Sequence, residues 1–127
     1  MNMVFSPEEQ EIYDITIELL HTIRKGDVEK YKLLSSDTLT AIEPESNGNI
    51  IKGLDFHLFF LKNTSPIEYH LELVNPIIKV NGDSAYIAYT LINSGLVGDE
   101  FELQSFNETR IYFKEEGNWK MTHFHRS

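Results

Sequence analysis

Cysteine is absent from the 127 residues of this sequence. Its absence excludes disulfide bonds, thiolate metal ligands and cysteine nucleophiles, and it is typical of proteins in a reducing compartment. Long apolar runs are absent as well, since none approaches the roughly 20 residues that a membrane-spanning helix needs. The start of the sequence, MNMVFSPEEQ, lacks the pattern of a secretory signal peptide, which is a basic segment followed by an apolar run. We therefore expect a cytoplasmic location and no membrane partner.

Basic residues are scarce: 11 lysines and arginines stand against 20 aspartates and glutamates, which gives a formal net charge of −9. Nucleic acid is therefore not an expected partner, because phosphate binding needs a basic surface. The sequence has no glycine-rich phosphate loop and no GxSxG motif, and we expect no cofactor. Its length predicts one domain, residues 1–127, with a buried core of its own.

Local signals predict three helices. Ser6–Glu9 has the sequence of a capping box with proline at the first helical position, and apolar residues then recur at helical spacing. Gly26 is expected to end this helix, and Arg24-Lys25 to complement its dipole. Asp27 can cap a short second helix. A third is expected over about Leu54–Asn63, largely buried because it has little polar face.

The second half of the sequence has the apolar period of strands. The expected strands are Ile67–Val80, Ser84–Leu91, Leu103–Phe113 and Trp119–Arg126, with a short additional one at Thr38–Glu43. Asn75-Pro76 predicts a bulge or an edge kink, Asn81-Gly82-Asp83 a tight hairpin, and Asn93–Asp99 a glycine-containing loop. Helices followed by antiparallel strands indicate an α+β fold, with the helices packed on one face of a curved sheet.

Several motifs occur in the order, and near the spacing, of one known family. They are TAIEPESNGNIIKGLDFH at Thr40–His57, Asn75-Pro76, IAY at Ile87–Tyr89, ETR at Glu108–Arg110 and HFHRS at His123–Ser127. From about Glu9 to its last residue, the sequence resembles the association, or hub, domain of calcium/calmodulin-dependent protein kinase II. The resemblance implies an NTF2-like (cystatin-like) cone, in which three helices pack on a strongly curved antiparallel sheet and enclose a pocket.

The resemblance also implies self-association, as a homodimer or a larger ring. We expect neither kinase activity nor calmodulin binding from this sequence, because it has no HRD or DFG motif and no calmodulin-binding segment ahead of the hub. The alternative is an enzyme on the same cone, of the SnoaL or ketosteroid-isomerase type, acting on a small apolar substrate. Its acid or base would be His57, Glu43 or Tyr89, although no catalytic residue is assigned.

Arg110 and Arg126 are the sharpest candidates for a binding site. They lie in strands that we expect to pair as a hairpin, so the length of the connecting loop decides whether they share a face. A three-residue loop, Glu116–Asn118, pairs Arg126 with Glu108 and places Arg110 diagonally beside it. A two-residue loop sends the two arginines to opposite faces. The loop glycine suits the longer form, and the resemblance implies that both arginines line the pocket.

Two inward arginines need a counter-charge. Guanidinium groups about 5 Å apart repel by roughly 3 kcal/mol at an effective dielectric constant near 20. A small carboxylate or phosphate ligand can offset this repulsion through bidentate hydrogen bonds. An internal acid can offset it equally, and Glu108, Glu43 and Glu45 are the candidates. The sequence leaves both explanations open.

His57 stands on the otherwise apolar third helix, where a lone histidine is more often a hydrogen-bonded core residue than a catalyst. The resemblance implies a pocket position for it. Alternation places Tyr89 on one strand face with Ile87 and Leu91. The family has arginines at the positions of Leu91 and Leu58, so a less basic pocket is implied here. The predicted ligand-binding residues, for a small carboxylate or other anion, are Arg110, Arg126, His57, Tyr89 and Glu108.

Strand alternation places His123 and His125 on one face with Trp119 and Met121. Two histidines at this spacing can ligate a metal. No further ligand stands nearby in the sequence, and we predict no metal site. The face is expected to pack against another subunit.

Overall fold

The computed structural model of the protein describes residues 4–64 and 68–127. Its helices are α1 (Pro7–Lys25), α2 (Val28–Leu34) and α3 (Asp55–Lys62), and a 3₁₀ turn covers Pro44–Ser46. Its strands are β1 (Ser35–Ile42), β2 (Ile50–Lys52), β3 (Tyr69–Asn81), β4 (Ser84–Val97), β5 (Glu100–Glu115) and β6 (Asn118–Arg126). The three predicted helices are confirmed, but the prediction that α3 is largely buried is wrong: Phe59 and Phe60 are 70% and 48% exposed, because only one side of the helix packs on the sheet. The predicted start of β3 at Ile67 lies outside the described residues.

Local capping sets the bounds of the first two helices. The Ser6 hydroxyl accepts a hydrogen bond from the backbone N–H of Glu9, and the Ser6 N–H donates to the Glu9 carboxylate, as a capping box requires. Gly26 ends α1 in the left-handed conformation, and Asp27 caps α2 through the N–H of Lys30. In the described part of the chain, no helix is long and apolar enough to cross a membrane.

Gly26 also holds α1 against α3. Its φ is +68°, and a Cβ added there would lie 2.8 Å from the carbonyl oxygen of Leu61. We expect Gly26→Ala to lower the free energy of unfolding by more than about 2 kcal/mol, because the left-handed backbone alone costs roughly 1–2 kcal/mol and the contact adds to it. Urea denaturation measures the change. Gly82→Ala is the matched control, with φ +60° and open space around it; an equal loss in both variants would contradict the role of the contact.

The six strands form one sheet in the order β2-β1-β6-β5-β4-β3. Every neighbouring pair is antiparallel except β1 and β6, which run parallel. The predicted α+β fold is confirmed, with this one exception to the predicted antiparallel sheet. The helices cover one face of the sheet, hereafter the inner face, whose core includes Ile87, Leu91 and Tyr112.

Strands β4 and β5 continue far beyond their predicted ends. The predicted loop Asn93–Asp99 is wrong: β4 runs on to Val97, and Asn93 pairs with Gln104. Asparagine, serine and glycine have weak strand propensity, but cross-strand pairing along the whole ladder overrides it here. In contrast, the predicted bulge is confirmed. The register of β3 against β4 shifts between Val74 and Ile77, at Asn75-Pro76.

The connection between β5 and β6 differs from the predicted three-residue loop. Its turn has two residues, Glu116 and Gly117, both with positive φ, as in a type I′ hairpin. That turn alone would put Arg110 and Arg126 on opposite faces of the sheet. However, Ile111 pairs with His123 and Tyr112 with Met121, which leaves Thr122 as a bulge. The bulge restores the predicted pairing of Glu108 with Arg126.

The same bulge corrects the predicted faces of β6. Trp119 and Met121 are buried on the inner face and do not share a face with His123 and His125. The extra residue at Thr122 reverses the alternation, so that Phe124 faces inward and both histidines lie on the opposite, outer face.

Three of the six tyrosines, Tyr31, Tyr89 and Tyr112, are buried. Burial raises the pKa of all three, and that of Tyr112 to about 12. Since the unfolded chain ionises near pH 10, their contribution to stability is complete below pH 10 and is lost as the pH rises above it. Tyr112 alone accounts for about 2 kcal/mol of this loss by pH 12.

We therefore expect alkaline unfolding above pH 10, with the buried phenols ionising only as the fold is lost. Absorbance at 295 nm and circular dichroism, followed together against pH, report the two events. Tyr112→Phe should shift the transition to higher pH. Ionisation of all six tyrosines with the fold intact would contradict this.

Candidate ligand pocket

A cavity of about 220 Å³ lies between the inner face of the sheet and helices α1 and α3. One end, hereafter the ion-pair end, is lined by Glu43, Glu45, His57, Arg110 and Arg126. The other, hereafter the amide end, is lined by Arg24, Asn93 and Gln104. Between them the lining is apolar and includes Leu71, Leu91 and Phe106. Gln104 stands four residues from Glu108 on β5, a distance of about 13 Å along the backbone.

Arg110 is fully enclosed, with 1% of its surface exposed. Its Nη2 donates to Glu108 Oε1 at 3.1 Å, its Nε to the Tyr89 hydroxyl at 2.9 Å, and its Nη1 to Met121 Sδ at 3.0 Å. The guanidinium also lies over the ring of Phe124, 4.6 Å from its centroid. Each guanidinium nitrogen therefore has a partner within the protein.

Tyr89 joins Arg110 to Glu108. Its hydroxyl accepts from Arg110 Nε and donates to Glu108 Oε1. Burial raises the pKa of Tyr89, so that the phenol keeps its proton and remains a donor. Burial alone would lower the pKa of Arg110, but its interactions with Tyr89 and Glu108 outweigh this and raise the pKa well above its usual value. The three side chains form a buried, charged unit.

Arg126 is shared among three carboxylates. Its Nη2 lies 2.7 Å from Glu45 Oε1 and 3.9 Å from Glu43 Oε2, and its Nε lies 3.9 Å from Glu108 Oε2. Only the contact with Glu45 is close enough for a hydrogen bond. The guanidinium also covers the ring of Phe106 at 5.0 Å.

His57 contacts Glu43. Its Nε2 lies 3.1 and 3.2 Å from the two Glu43 oxygens, and both side chains are buried. His57 Nδ1 is buried without a hydrogen-bond partner. The structure thus brings all five predicted ligand-binding residues into one network, and it places Glu43 and Glu45 in that network as internal counter-charges. Three glutamates face two arginines there, so the ion-pair end has no excess positive charge.

The amide end was missed by the sequence analysis. The sequence indicates for Arg24 only a role in complementing the α1 dipole, and it predicts a loop at Asn93. In the structure Arg24 reaches the cavity from the last turn of α1, and its guanidinium lies over the ring of Tyr69 at 5.4 Å. The pairing of Asn93 with Gln104 on β4 and β5 supplies two amides opposite it. Only the docking of α1 on the extended hairpin brings them together.

His123 and His125 lie on the outer face, as predicted, although without Trp119 and Met121. The Nδ1 of His123 is hydrogen-bonded to the Thr40 hydroxyl at 2.7 Å across β1 and β6. Over residues 4–64 and 68–127, no three histidine, aspartate or glutamate side chains are grouped as metal ligands.

The family model and the curated relative that match this chain indicate the same family. The family model described as the calcium/calmodulin dependent protein kinase II association domain matches residues 8–127. The delta subunit of calcium/calmodulin-dependent protein kinase type II from Oryctolagus cuniculus is 37% identical over 123 residues, which are 93% of this chain and 23% of that protein. The chain thus spans about a quarter of the length of this curated relative.

Solved structures agree with the family match. The association domain of C. elegans CaMKII superposes with a TM-score of 0.88 at 33% identity, covering 94% of this chain and 95% of that one. An NTF2-like protein from Cytophaga hutchinsonii superposes with a TM-score of 0.78 at 20% identity, covering 97% of this chain and 98% of that one. The second likeness shows the NTF2-like fold alone.

Proposed function

Because the chain belongs to the calcium/calmodulin-dependent protein kinase II association-domain family, we propose that it is a self-associating scaffold that forms homodimers or larger rings. The observation that carries the proposal is the outer face of the sheet. The helices cover only the inner face, and large apolar side chains stand exposed on the other. Ile77, Tyr86 and Phe113 are 56%, 40% and 49% exposed in the single subunit.

Register places these side chains on one surface. Ile77 pairs with Ala88, and Tyr86 pairs with Ile111, which stands two residues before Phe113 on β5. Residues two apart on a strand, and partners across strands, point to the same side of a sheet. The outer face is therefore an apolar strip across three strands. Exposed apolar surfaces of this kind mark sites of protein association.

A second apolar patch lies at the far end of the β4–β5 hairpin, where the register places Leu96, Phe101 and Leu103 on the same outer face. Leu96, Val97, Phe101 and Leu103 are exposed there, around the turn at Gly98. One self-complementary surface yields a closed dimer, whereas two distinct surfaces permit further assembly. The apolar strip and this hairpin end therefore support a dimer that can be extended into a ring.

Light scattering on the purified chain tests the proposal. We expect a mass that is a multiple of the 14.7 kDa of one chain at micromolar concentration, falling only on strong dilution. A mass of one chain at micromolar concentration would remove the proposal.

We further propose that the cavity binds a small carboxylate or another anion. Its polar groups converge on a concave, otherwise apolar space, which is the usual character of a small-molecule site. Its volume, about 220 Å³, is below the roughly 300–1,000 Å³ typical of drug-sized ligands. Stabilisation of the chain against heat by small organic acids, compared with their neutral amides, tests this role.

An enzyme acting on a small apolar substrate is the second candidate. One observation favours it: His57 and Glu43 form a base and acid pair at the cavity. However, Glu43 occupies Nε2, and Nδ1 is buried, so a substrate proton reaches neither nitrogen in this arrangement. The scaffold is therefore the better supported function.

A further inference from the structure

We infer that Asn81 is a modification site, at which the side-chain amide converts spontaneously to a carboxylate in the folded chain and weakens its association. Asparagine followed by glycine favours this reaction, because glycine has no side chain to shield its backbone nitrogen. The chain holds two such pairs, Asn47-Gly48 and Asn81-Gly82, and the structure distinguishes them. The effect on association, though not the reaction itself, rests on the scaffold function proposed above.

The reaction needs only the two residues and water. The glycine nitrogen loses its proton and attacks Cγ of the asparagine, so that a C–N bond forms, the Cγ–Nδ2 bond breaks and ammonia leaves. Water then opens the cyclic imide at either carbonyl group. One product is aspartate, and the other is isoaspartate, in which the main chain runs through Cβ and Cγ and so gains one atom. In both products a neutral amide has become a carboxylate.

Hydrogen bonding protects the pair Asn47-Gly48. The Gly48 N–H donates to the carbonyl oxygen of Glu43 at 3.1 Å, and the Asn47 N–H donates to that of Pro44 at 2.9 Å. The Gly48 nitrogen must give up its hydrogen bond before it can attack, which raises the barrier. Asn47 and Gly48 are both exposed, so the protection comes from hydrogen bonding and not from burial.

The pair Asn81-Gly82 has no such protection. Asn81 is the last residue of β3, and Gly82 is the first residue of the two-residue turn into β4. Both are exposed. In the part of the chain that the structure describes, no group accepts a hydrogen bond from the Gly82 N–H. A Cβ added at Gly82 would meet nothing within 4 Å, so the space around the attacking nitrogen is open.

The Ser84 side chain promotes the attack. Its Oγ donates a hydrogen bond to the carbonyl oxygen of Asn81 at 3.0 Å. That oxygen and the Gly82 nitrogen belong to one peptide group, so the negative charge left when the nitrogen loses its proton is shared with the oxygen. A donor at the oxygen therefore stabilises the attacking form. Among residues 4–64 and 68–127, no backbone N–H donates to the corresponding carbonyl oxygen of Asn47.

Conversion places a charge on the outer face. Alternation along β3 puts Asn81 on this face with Ile77. Its register partner Ser84 pairs in turn with Phe113, so the new carboxylate lies two strands, or about 10 Å, from an apolar side chain of the proposed interface. The chain already has a net charge of −9, and a further negative charge on each subunit increases the repulsion between copies. The converted chain should therefore associate more weakly.

Peptide mapping by mass spectrometry tests the modification site. The full chain is incubated in neutral buffer at physiological temperature and digested at mildly acidic pH, where further conversion is slow. In the folded chain we expect Asn81 to convert at least about tenfold faster than Asn47, which corresponds to about 1.4 kcal/mol in the barrier. In urea, where neither glycine N–H is held by the fold, the two rates should agree within about threefold.

Asn81→Gln is the control variant, because glutamine would have to form a larger ring, and it should remain unconverted at this position. Conversion of Asn47 as fast as that of Asn81 in the folded chain would overturn the inference. A chain that remains unconverted at Asn81 while folded, although it converts there in urea, would overturn it as well.

Light scattering on dilution tests the effect on association. Asn81→Asp introduces the charge of the converted chain, and we expect it to raise the Kd for self-association at least about threefold. Asn47→Asp, which adds the same charge at an exposed position outside the sheet, should leave the Kd unchanged. Equal Kd values for both variants would overturn the effect on association. A chain that is monomeric before any conversion would remove the scaffold function, whereas the peptide mapping would still decide the modification site.

Discussion

Replacing Tyr86 and Phe113 together with aspartate is expected to dissociate the assembly into single chains of 14.7 kDa. Both side chains are about half exposed on the outer face. A partner subunit can therefore bury the remaining apolar surface of each, which contributes roughly 1 kcal/mol per side chain to the free energy of association. In a two-fold symmetric interface each substitution is present on both subunits, so its effect on the free energy of association is doubled. The total is about 4 kcal/mol, or roughly a thousandfold weaker association, before the cost of burying the new charges is added.

Light scattering at fixed concentration measures this effect. The control variant carries Val4→Asp and Leu33→Asp, which add the same two charges at exposed apolar positions away from the outer face. The control is expected to keep the mass of the unaltered assembly. An outer-face variant that is folded and retains the full mass would show that subunits associate through another surface.

Glu108→Leu is expected to cause the largest loss of stability of any single change in the ion-pair end. It leaves the Arg110 charge enclosed, with its closest carboxylate removed. Breaking a buried pair by removing one partner costs about 3–5 kcal/mol, which should lower Tm by more than about 10 °C. Thermal unfolding must be compared at one protein concentration, because association contributes to Tm.

A double-mutant cycle separates the pair from the packing around it. Adding Arg110→Met to Glu108→Leu removes both charges, and we expect most of the lost stability to return. Recovery should be incomplete, because the Tyr89 hydroxyl loses both of its partners. Glu45→Gln is the control, since its pair with Arg126 is partly exposed and should contribute under about 1 kcal/mol. Equal losses for Glu108→Leu and Glu45→Gln would contradict the buried-pair account.

The sequence predicted those features of the fold that depend on near neighbours. Ser6, Gly26 and Asp27 mark helix bounds correctly because capping and left-handed termination involve only the adjacent turn. The hairpin turn at Gly82-Asp83 was also predicted correctly, because a tight turn depends only on adjacent residues. These features need no knowledge of the rest of the chain.

Features that depend on distant partners were not predictable. The bulge at Thr122 has no local signal, yet it decides which side chains of β6 face the cavity. The predicted pairing of Glu108 with Arg126 was correct although the predicted loop length was wrong, because the shorter turn and the bulge compensate. The cavity position of Arg24 depends on how α1 docks against β4 and β5. Spacing along the sequence does not encode that docking.

Spin labelling tests directly whether copies of this chain meet through the outer face of the sheet. The absence of cysteine allows one spin label to be attached at a single engineered position. Lys79→Cys places it beside Tyr86 on the outer face, and Glu29→Cys places it on the exposed side of α2. Electron–electron dipolar spectroscopy then gives the distance between labels on different subunits. If the subunits meet through the outer face, the distance between labels at position 79 is clearly shorter than that between labels at position 29. The absence of dipolar coupling at both positions, or the reverse order of distances, would show that they do not.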